Sequence, residues 1–317
     1  MEREFDFEQP IADIEKELEE LKDRADVSKR DIKDKIDTLQ RRLEERKKEI
    51  YRHLTPLQTV QVARHPQRPV LHDYIDLIFS DFVELHGDRC FSDDHAITGG
   101  FAMLGPEKAM LIGHARGHTA EDNAKRNFGM ARPEGYRKAL RLMHLAEKFN
   151  IPVITFIDTM GAYPGLDAEE RSQAEAIARN LTEMARIRVP IISIVTGEGG
   201  SGGALGIGVG DAVLMLSNAI YSVISPEGCA SILWRDAAYS AQAAEAMKIT
   251  ARSLLELGVI DEIIPEPPGG AHSDYVKTAA AMKTAILKYL KKTAPVSPSK
   301  LVSRRFDKFA AMGKFTT

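Results

Sequence analysis

Ile151-Pro152-Val153-Ile154-Thr155-Phe156-Ile157 and Val189-Pro190-Ile191-Ile192-Ser193-Ile194-Val195 read as one strand written twice. Each is a short, continuous apolar run of the kind that is buried on both faces of a sheet. Each has proline at its second position, where a strand tolerates the missing N–H, and the two prolines lie 38 residues apart (190 minus 152). The first run enters a loop at 158–165, and the second enters Gly197-Glu198-Gly199-Gly200-Ser201-Gly202-Gly203. Between them Ala174, Ile177, Ala178, Leu181, Met184 and Ala185 share one helical face. Strand, loop and helix repeated in register predict an α/β fold with a parallel sheet and crossover helices. Ligands in such layouts gather at the carboxyl ends of the strands, where both loops fall.

Working outward, the runs 97–104 and 109–113 predict a hairpin of strands around Gly105-Pro106-Glu107. Downstream, 281–291 reads as a helix. Residues 1–51 have a different texture: Ile11, Ile14, Leu18 and Leu21, then Ile32, Ile36, Leu39, Leu43 and Ile50, mark two amphipathic helices. A break with capping residues at 23–28 makes them an antiparallel hairpin, charged on its outer faces. Residues 52–73, punctuated by Pro56, Pro66 and Pro69, predict a connector laid over the surface. The body then spans 74–292, and 293–317 is a basic, poorly patterned tail expected to be only partly ordered.

The bulk numbers exclude several classes of function. The 317 residues are 44% hydrophobic and 28% charged, with a formal net charge of −3, an ordinary globular composition without an electrostatic footprint for nucleic acid or an anionic membrane. No apolar run approaches the length of a bilayer span, and Met1-Glu2-Arg3-Glu4 opens no signal-peptide core. Two cysteines, Cys90 and Cys229, make neither a four-thiolate zinc site nor a disulfide framework. The expectation is a reduced, cytoplasmic protein with no metal of its own.

Three chemistries compete for the glycine loop. Gly197, Gly199 and Gly202 satisfy the dinucleotide spacing, but a Rossmann unit needs an uninterrupted helix and an acid about 20 residues on. Gly206, Gly208 and Gly210 interrupt the helix, and position 221 is tyrosine. Gly199-Gly200-Ser201-Gly202-Gly203 also matches a nucleophile elbow; a serine hydrolase using Ser201 would need His272, the one histidine that follows it, to reach the elbow beside an acid such as Asp261. The third possibility is a backbone oxyanion hole, with Gly202, Gly203 and Ala204 opening a short helix whose free N–H groups converge on one point. The loop Asp158-Thr159-Met160-Gly161-Ala162-Tyr163-Pro164-Gly165 would then form the adjacent wall. Gly206, Gly208 and Gly210 read as packing glycines.

Several long strings stand out: Asp6-Phe7-Glu8-Gln9-Pro10-Ile11, Ala63-Arg64-His65-Pro66-Gln67-Arg68-Pro69, Arg126-Asn127-Phe128-Gly129-Met130, Pro133-Glu134-Gly135-Tyr136-Arg137-Lys138-Ala139-Leu140-Arg141, the glycine loop, and Tyr221-Ser222-Val223-Ile224-Ser225-Pro226-Glu227-Gly228-Cys229-Ala230. In this order they resemble the alpha subunit of the multi-subunit acetyl-CoA carboxylase carboxyltransferase. The resemblance implies a crotonase-like spiral of β-β-α units. It implies a reaction in which a carboxyl group passes from N1 of carboxybiotin, held on the biotin carboxyl carrier protein, to the methyl carbon of acetyl-CoA, giving malonyl-CoA for fatty acid synthesis. Backbone donors at Gly202, Gly203 and Ala204 would take up charge developing on the ureido oxygen. Gly161, Ala162 and Tyr163 would line the site, and Arg126, Arg137 and Lys138 are candidates to meet CoA phosphates. The implied partners are a beta subunit bearing the zinc ribbon, in an α2β2 assembly, together with biotin carboxylase. Where the family usually has proline this chain has Met160, and Gly206 replaces a common alanine. A crotonase-fold scaffold that only presents its N-terminal hairpin to partners is the non-catalytic alternative.

Overall fold

Helical periodicity in the first fifty residues produces α1 (Gln9–Asp23) and α2 (Arg30–Arg52). The computed structural model describes residues 5–23 and 30–313. Ile14, Leu18 and Leu39 are buried between the two helices, flanked by Leu21, Ile36 and Leu43. Lys47 pairs with Glu15 at 2.7 Å, and the Tyr51 hydroxyl donates to Glu8, so the helices run antiparallel as expected. Beyond Asp23, the predicted break lies outside the described residues.

The stretch expected to lie over the surface is instead part of the packed body. Pro56 opens α3 (Pro56–Ala63) at a position where the missing N–H has no helical partner to lose. Thr55 and Gln58 form a reciprocal capping box, Thr55 Oγ1 accepting from Gln58 N at 3.2 Å and Gln58 Oε1 from Thr55 N at 2.8 Å. Val60, Val62 and Ala63 are buried, as are Val70 and Leu71 leading into α4 (Leu71–Ile78). The prolines punctuate these elements rather than unfolding them.

The sheet contains β1 (Ser80–Glu84), β2 (Ile97–Leu104), β3 (Glu107–His114), β4 (Val153–Thr159), β5 (Ile191–Gly200), β6 (Ala212–Leu216), β7 (Ile220–Ser222) and β8 (Glu262–Ile264). Its order is β1-β2-β3-β4-β5-β6-β8, with β7 beside the far end of β5. β2 and β3 form the predicted antiparallel hairpin, from Ile97 opposite His114 to Leu104 opposite Glu107. From β3 onward the pairing is parallel, and Val153 stands opposite Ile191, so the two repeated runs lie side by side in the register their prolines suggested. Every position of β4, β5 and β6 is buried.

Helices supply the crossovers. Those between β3 and β8 are α5 (Ala120–Lys125), α6 (Pro133–Phe149), α7 (Leu166–Glu170), α8 (Gln173–Met184), α9 (Ser201–Leu205), α10 (Pro226–Trp234), α11 (Ser240–Met247) and α12 (Ala251–Glu256); α13 (Tyr275–Thr293) and α14 (Pro298–Ala310) follow the last strand. The helix predicted at 281–291 is the second half of α13, which begins earlier at an Asp274 cap accepting from Lys277 N. The tail is likewise a correction. Arg305 of α14 is buried, its guanidinium donating to Asp211 at 2.7 and 3.0 Å and to the carbonyls of Met184, Ile187 and Val189 at 2.6–3.0 Å. One arginine thereby saturates the carbonyls between α8 and β5, an interaction that a basic, weakly patterned sequence conceals.

Candidate active site

β4 and β5 end beside one another, and their loops touch backbone to backbone. A Cβ added at Gly200 would stand 2.0 Å from the Met160 carbonyl oxygen, and one at Gly203 would stand 2.4 Å from the Gly161 carbonyl carbon. Glycine is required at both positions by close approach of main chain to main chain. Met160 meets Gly200 through its backbone while its side chain is half exposed, so the departure from proline at this position leaves the contact intact. Thr159 further pins the loop, its hydroxyl donating to Gly161 O at 2.7 Å and accepting from Gly161 N at 3.2 Å.

Ser201 begins α9 with φ at +54°, and the chain turns abruptly from strand into helix there. The first N–H groups of any helix lack intrahelical acceptors, and Gly202 and Gly203 stand in that first turn of α9; Ala204, one residue further on, is fully buried and does not line the cavity that those two do. Gly202 and Gly203 line a cavity of about 680 Å³ together with Gly161, Ala162, Ile177 and Ser201. A Cβ at Gly202 would meet nothing closer than Ile177 at 3.8 Å, and one at Gly161 would meet nothing at all, so both leave room for a ligand. Gly206 presses on the Tyr136 ring, the packing role expected of it.

Beneath the loop lies His114 at the end of β3. Its ring is fully buried against the carbonyls of Gly203 and Phe156 without a well-formed hydrogen bond. Burial pushes its pKa down to about 4, against the pull of Asp158, which keeps it neutral. Asp158 accepts from Glu198 N at 3.0 Å and from Arg116 at 3.4 Å, holding the glycine strand to β4.

The most informative site residues come from the stretch read as a connector. Arg64, just past α3, grips Glu198 with Nε at 2.9 Å and Nη2 at 2.6 Å, and reaches Glu227 with Nη1 at 2.9 Å. The Glu198 hydrogen bond is the main reason its guanidinium is held more firmly charged than usual. Arg64 lines the cavity. Arg68, one turn on, is buried and donates to Thr196 O at 2.7 Å and to Glu266 at 2.7 and 3.0 Å. Burial alone would raise the Glu266 carboxyl, but Arg68 outweighs it and holds the group below the ordinary range. Arg64 and Arg68 both fall in the string 63–69 that carries the family resemblance, which was the available signal.

The remaining predicted residues divide clearly. Tyr163 does not line the cavity; it lies under Arg132, whose guanidinium stacks 4.3 Å from the ring centroid. Lys138 is fully buried, Nζ donating to Asp93 at 2.6 Å and to the Asp94 carbonyl at 2.8 Å. Arg137 donates to Asp88 at 2.8 Å, Glu134 at 2.9 Å and the Arg171 carbonyl at 3.1 Å. Arg126 binds Asp122 at 3.0 Å. The structure thus puts Lys138 and Arg137 to work inside the fold: Lys138 has no exposed surface on which to meet a phosphate. Ser201 forms no hydrogen bond among the described residues, and His272 stacks on His65 with ring centroids 3.7 Å apart rather than lining the cavity. Among the described residues that line the cavity with Ser201 there is no histidine to serve as its base. Among the described residues no cluster of three or more His, Cys, Asp or Glu could hold a metal, and no helix is long and apolar enough to cross a membrane.

Residues 4–313 match the family model described as acetyl co-enzyme A carboxylase carboxyltransferase-like. The chain belongs to that family. The alpha subunit of acetyl-coenzyme A carboxylase carboxyl transferase from Gemmatimonas aurantiaca is 56% identical over 315 residues, covering 98% of each chain. The same subunit from Aromatoleum aromaticum is 54% identical over 311 residues, 98% of this chain and 97% of that one. Among solved structures, transcarboxylase 12S with methylmalonyl-coenzyme A and methylmalonic acid bound superposes with a TM-score of 0.58 at 19% identity, over 71% of this chain and 41% of that one. A Pseudomonas malonate decarboxylase hetero-dimer gives 0.56 at 15% identity, over 68% of this chain and 88% of that one. The structural likenesses establish the crotonase-like fold, and the family match and its relatives establish the carboxyltransferase class expected from the sequence.

Proposed function

We propose that this chain is the alpha subunit of an acetyl-CoA carboxyltransferase, supplying the half of the site that receives carboxybiotin and working with a beta subunit that binds acetyl-CoA. Carboxybiotin, carried on the biotin carboxyl carrier protein, would supply the activated carboxyl group. The observation that carries this reading is the junction of the two loops, where Gly202 and Gly203 in the first turn of α9 line a cavity that Gly161 and Gly202 leave open; the N–H groups of Gly202, Gly203 and Ala204 would be its donors. Aimed at one oxygen, such donors stabilise negative charge developing on it without reorganising.

The main-chain contacts at Gly200 and Gly203 hold those donors in place, and Arg64 orients the strand through Glu198. No side-chain base is required of this chain if the biotin anion takes the methyl proton. The site is open beside exposed Val223 and Met160, which supports completion by a second subunit; in this proposal that subunit bears the zinc ribbon, the complex is α2β2 in the cytoplasm, and biotin carboxylase feeds the carrier.

Co-purification of the chain with that beta subunit, followed by assay of malonyl-CoA formation, tests the proposal. Activity is expected of the complex and not of the chain alone. Malonyl-CoA-dependent carboxylation of free biotin by the chain alone, or a folded complex with none, would overturn it.

A further inference from the structure

A site that transfers a carboxyl group must hold a carboxylate, and Arg64 carries the one cationic side chain among the described residues that line the cavity. A guanidinium has five N–H donors in a planar fork. Three are engaged: two by Glu198 and one by Glu227. One N–H on each Nη nitrogen remains. The two glutamates holding Arg64 differ in kind. Glu198 is almost fully buried, sits within β5 and is anchored through its own N–H to Asp158; it is a fixed counter-ion. Glu227 is the second residue of α10, 43% exposed at its side chain, and meets Arg64 through a single contact at 2.9 Å.

The charges balance in the same way. Arg64 and Glu198 neutralise one another, and Glu227 brings an additional negative charge to the cavity's rim. A substrate carboxylate taking over the Nη1 arm, and the spare N–H beside it, would leave the charge around Arg64 unchanged and release Glu227 to solvent. We infer that Arg64 is the carboxylate-binding residue of this cavity and that Glu227 occupies the carboxylate's place until substrate displaces it. This rests on the carboxyl-transfer reading above and adds to it the recognition of the group transferred. Arg64 then does two things at once: it orients the glycine strand through its Glu198 face and selects carboxylated substrate through its Glu227 face.

The test is a split between the two substrates, measured on the full-length chain reconstituted with its beta subunit. Malonyl-CoA with free biotin probes the carboxylated side, and acetyl-CoA in the forward direction probes the uncarboxylated side. Arg64→Lys keeps a positive charge but loses the fork. It is expected to raise the KM for malonyl-CoA about tenfold, with the KM for acetyl-CoA within about twofold. Glu227→Gln weakens the internal competitor and is expected to lower the KM for malonyl-CoA about threefold. A residue that only braces α3 against α10 would shift both substrates alike, or neither, and either outcome overturns the inference. If Arg64→Lys fails to assemble, Glu227→Gln decides alone: an unchanged or raised KM for malonyl-CoA refutes displacement. A wild-type complex that makes no malonyl-CoA removes the carboxyl-transfer reading and this inference together. An active wild type without the split removes this inference only.

Discussion

Replacing Gly203 by alanine should disable the site through a single methyl group. The new Cβ would lie 2.4 Å from the Gly161 carbonyl carbon and 2.5 Å from Ala162 N, both main-chain atoms that no rotamer change can move. Ordinary contact begins at 3.4 Å, so the loops must part by 1.0 Å (3.4 minus 2.4). A donor that should sit about 2.9 Å from a developing oxyanion would then stand about 3.9 Å away, outside hydrogen-bonding reach. Loss of one such donor costs about a hundredfold to a thousandfold in kcat, or about 3–4 kcal/mol. Overpacking adds a stability penalty of about 1–3 kcal/mol, lowering Tm by about 2–6 °C in a chain of this size. Gly202→Ala is the comparison for the melt alone, because its Cβ has 3.8 Å of clearance from the protein and alanine favours a helix, although the methyl would enter the cavity. The assay is malonyl-CoA formation by the reconstituted complex, with circular dichroism melts of both variants. Gly203→Ala within about threefold of wild-type kcat, with an unshifted melt, would refute the backbone oxyanion hole.

Five further outcomes rest on the other contacts described above. Ser201→Gly should stabilise the chain by up to about 1 kcal/mol in urea unfolding, since φ at that position is +54°, and Ser201→Ala should keep activity within about tenfold; abolished activity in a folded complex would favour a nucleophile. Arg68→Met leaves Glu266 buried without its partner and should cost about 3–5 kcal/mol in chemical denaturation. Because the folded-state pKa of Glu266 is depressed, its contribution is fully present above the unfolded value of about 4.3 and is lost as pH falls through the folded value. Urea midpoints should drop below about pH 4, and less steeply in Glu266→Gln. Arg305→Met should destabilise by about 3–5 kcal/mol by stranding Asp211 and three carbonyls, measured as a fall in Tm.

The doubled strand was legible because β4 and β5 are buried along their whole length, so every residue had to be apolar or small. The N-terminal hairpin was legible for the opposite reason, one apolar stripe on each otherwise charged helix. The glycine loop showed that main chain comes close to something, but glycine names no neighbour, and only the fold shows that Gly200 and Gly203 press on residues 160–162. Long-range ion pairs left the weakest trace. Arg64 finds Glu198 across 134 positions and Arg68 finds Glu266 across 198. Nothing local distinguishes such arginines from solvated ones, which is also why Lys138 and Arg137 passed for phosphate ligands and Arg305 for part of a loose tail.

The bolt formed by Arg305 has a consequence for how the chain comes into being. The carbonyls it satisfies belong to residues 184, 187 and 189, and its carboxylate partner is residue 211, which itself accepts from the first N–H of β5. Asp211 precedes Arg305 by 94 positions, so at about 5–20 residues per second the ribosome makes the lock about 5–20 s after the keyhole. Throughout that interval the carbonyls of Met184, Ile187 and Val189 and the Asp211 carboxylate lack their arginine donor. Slow codons placed between the two would lengthen the exposure, and a synonymous change there would alter the yield of folded protein without touching a single amino acid.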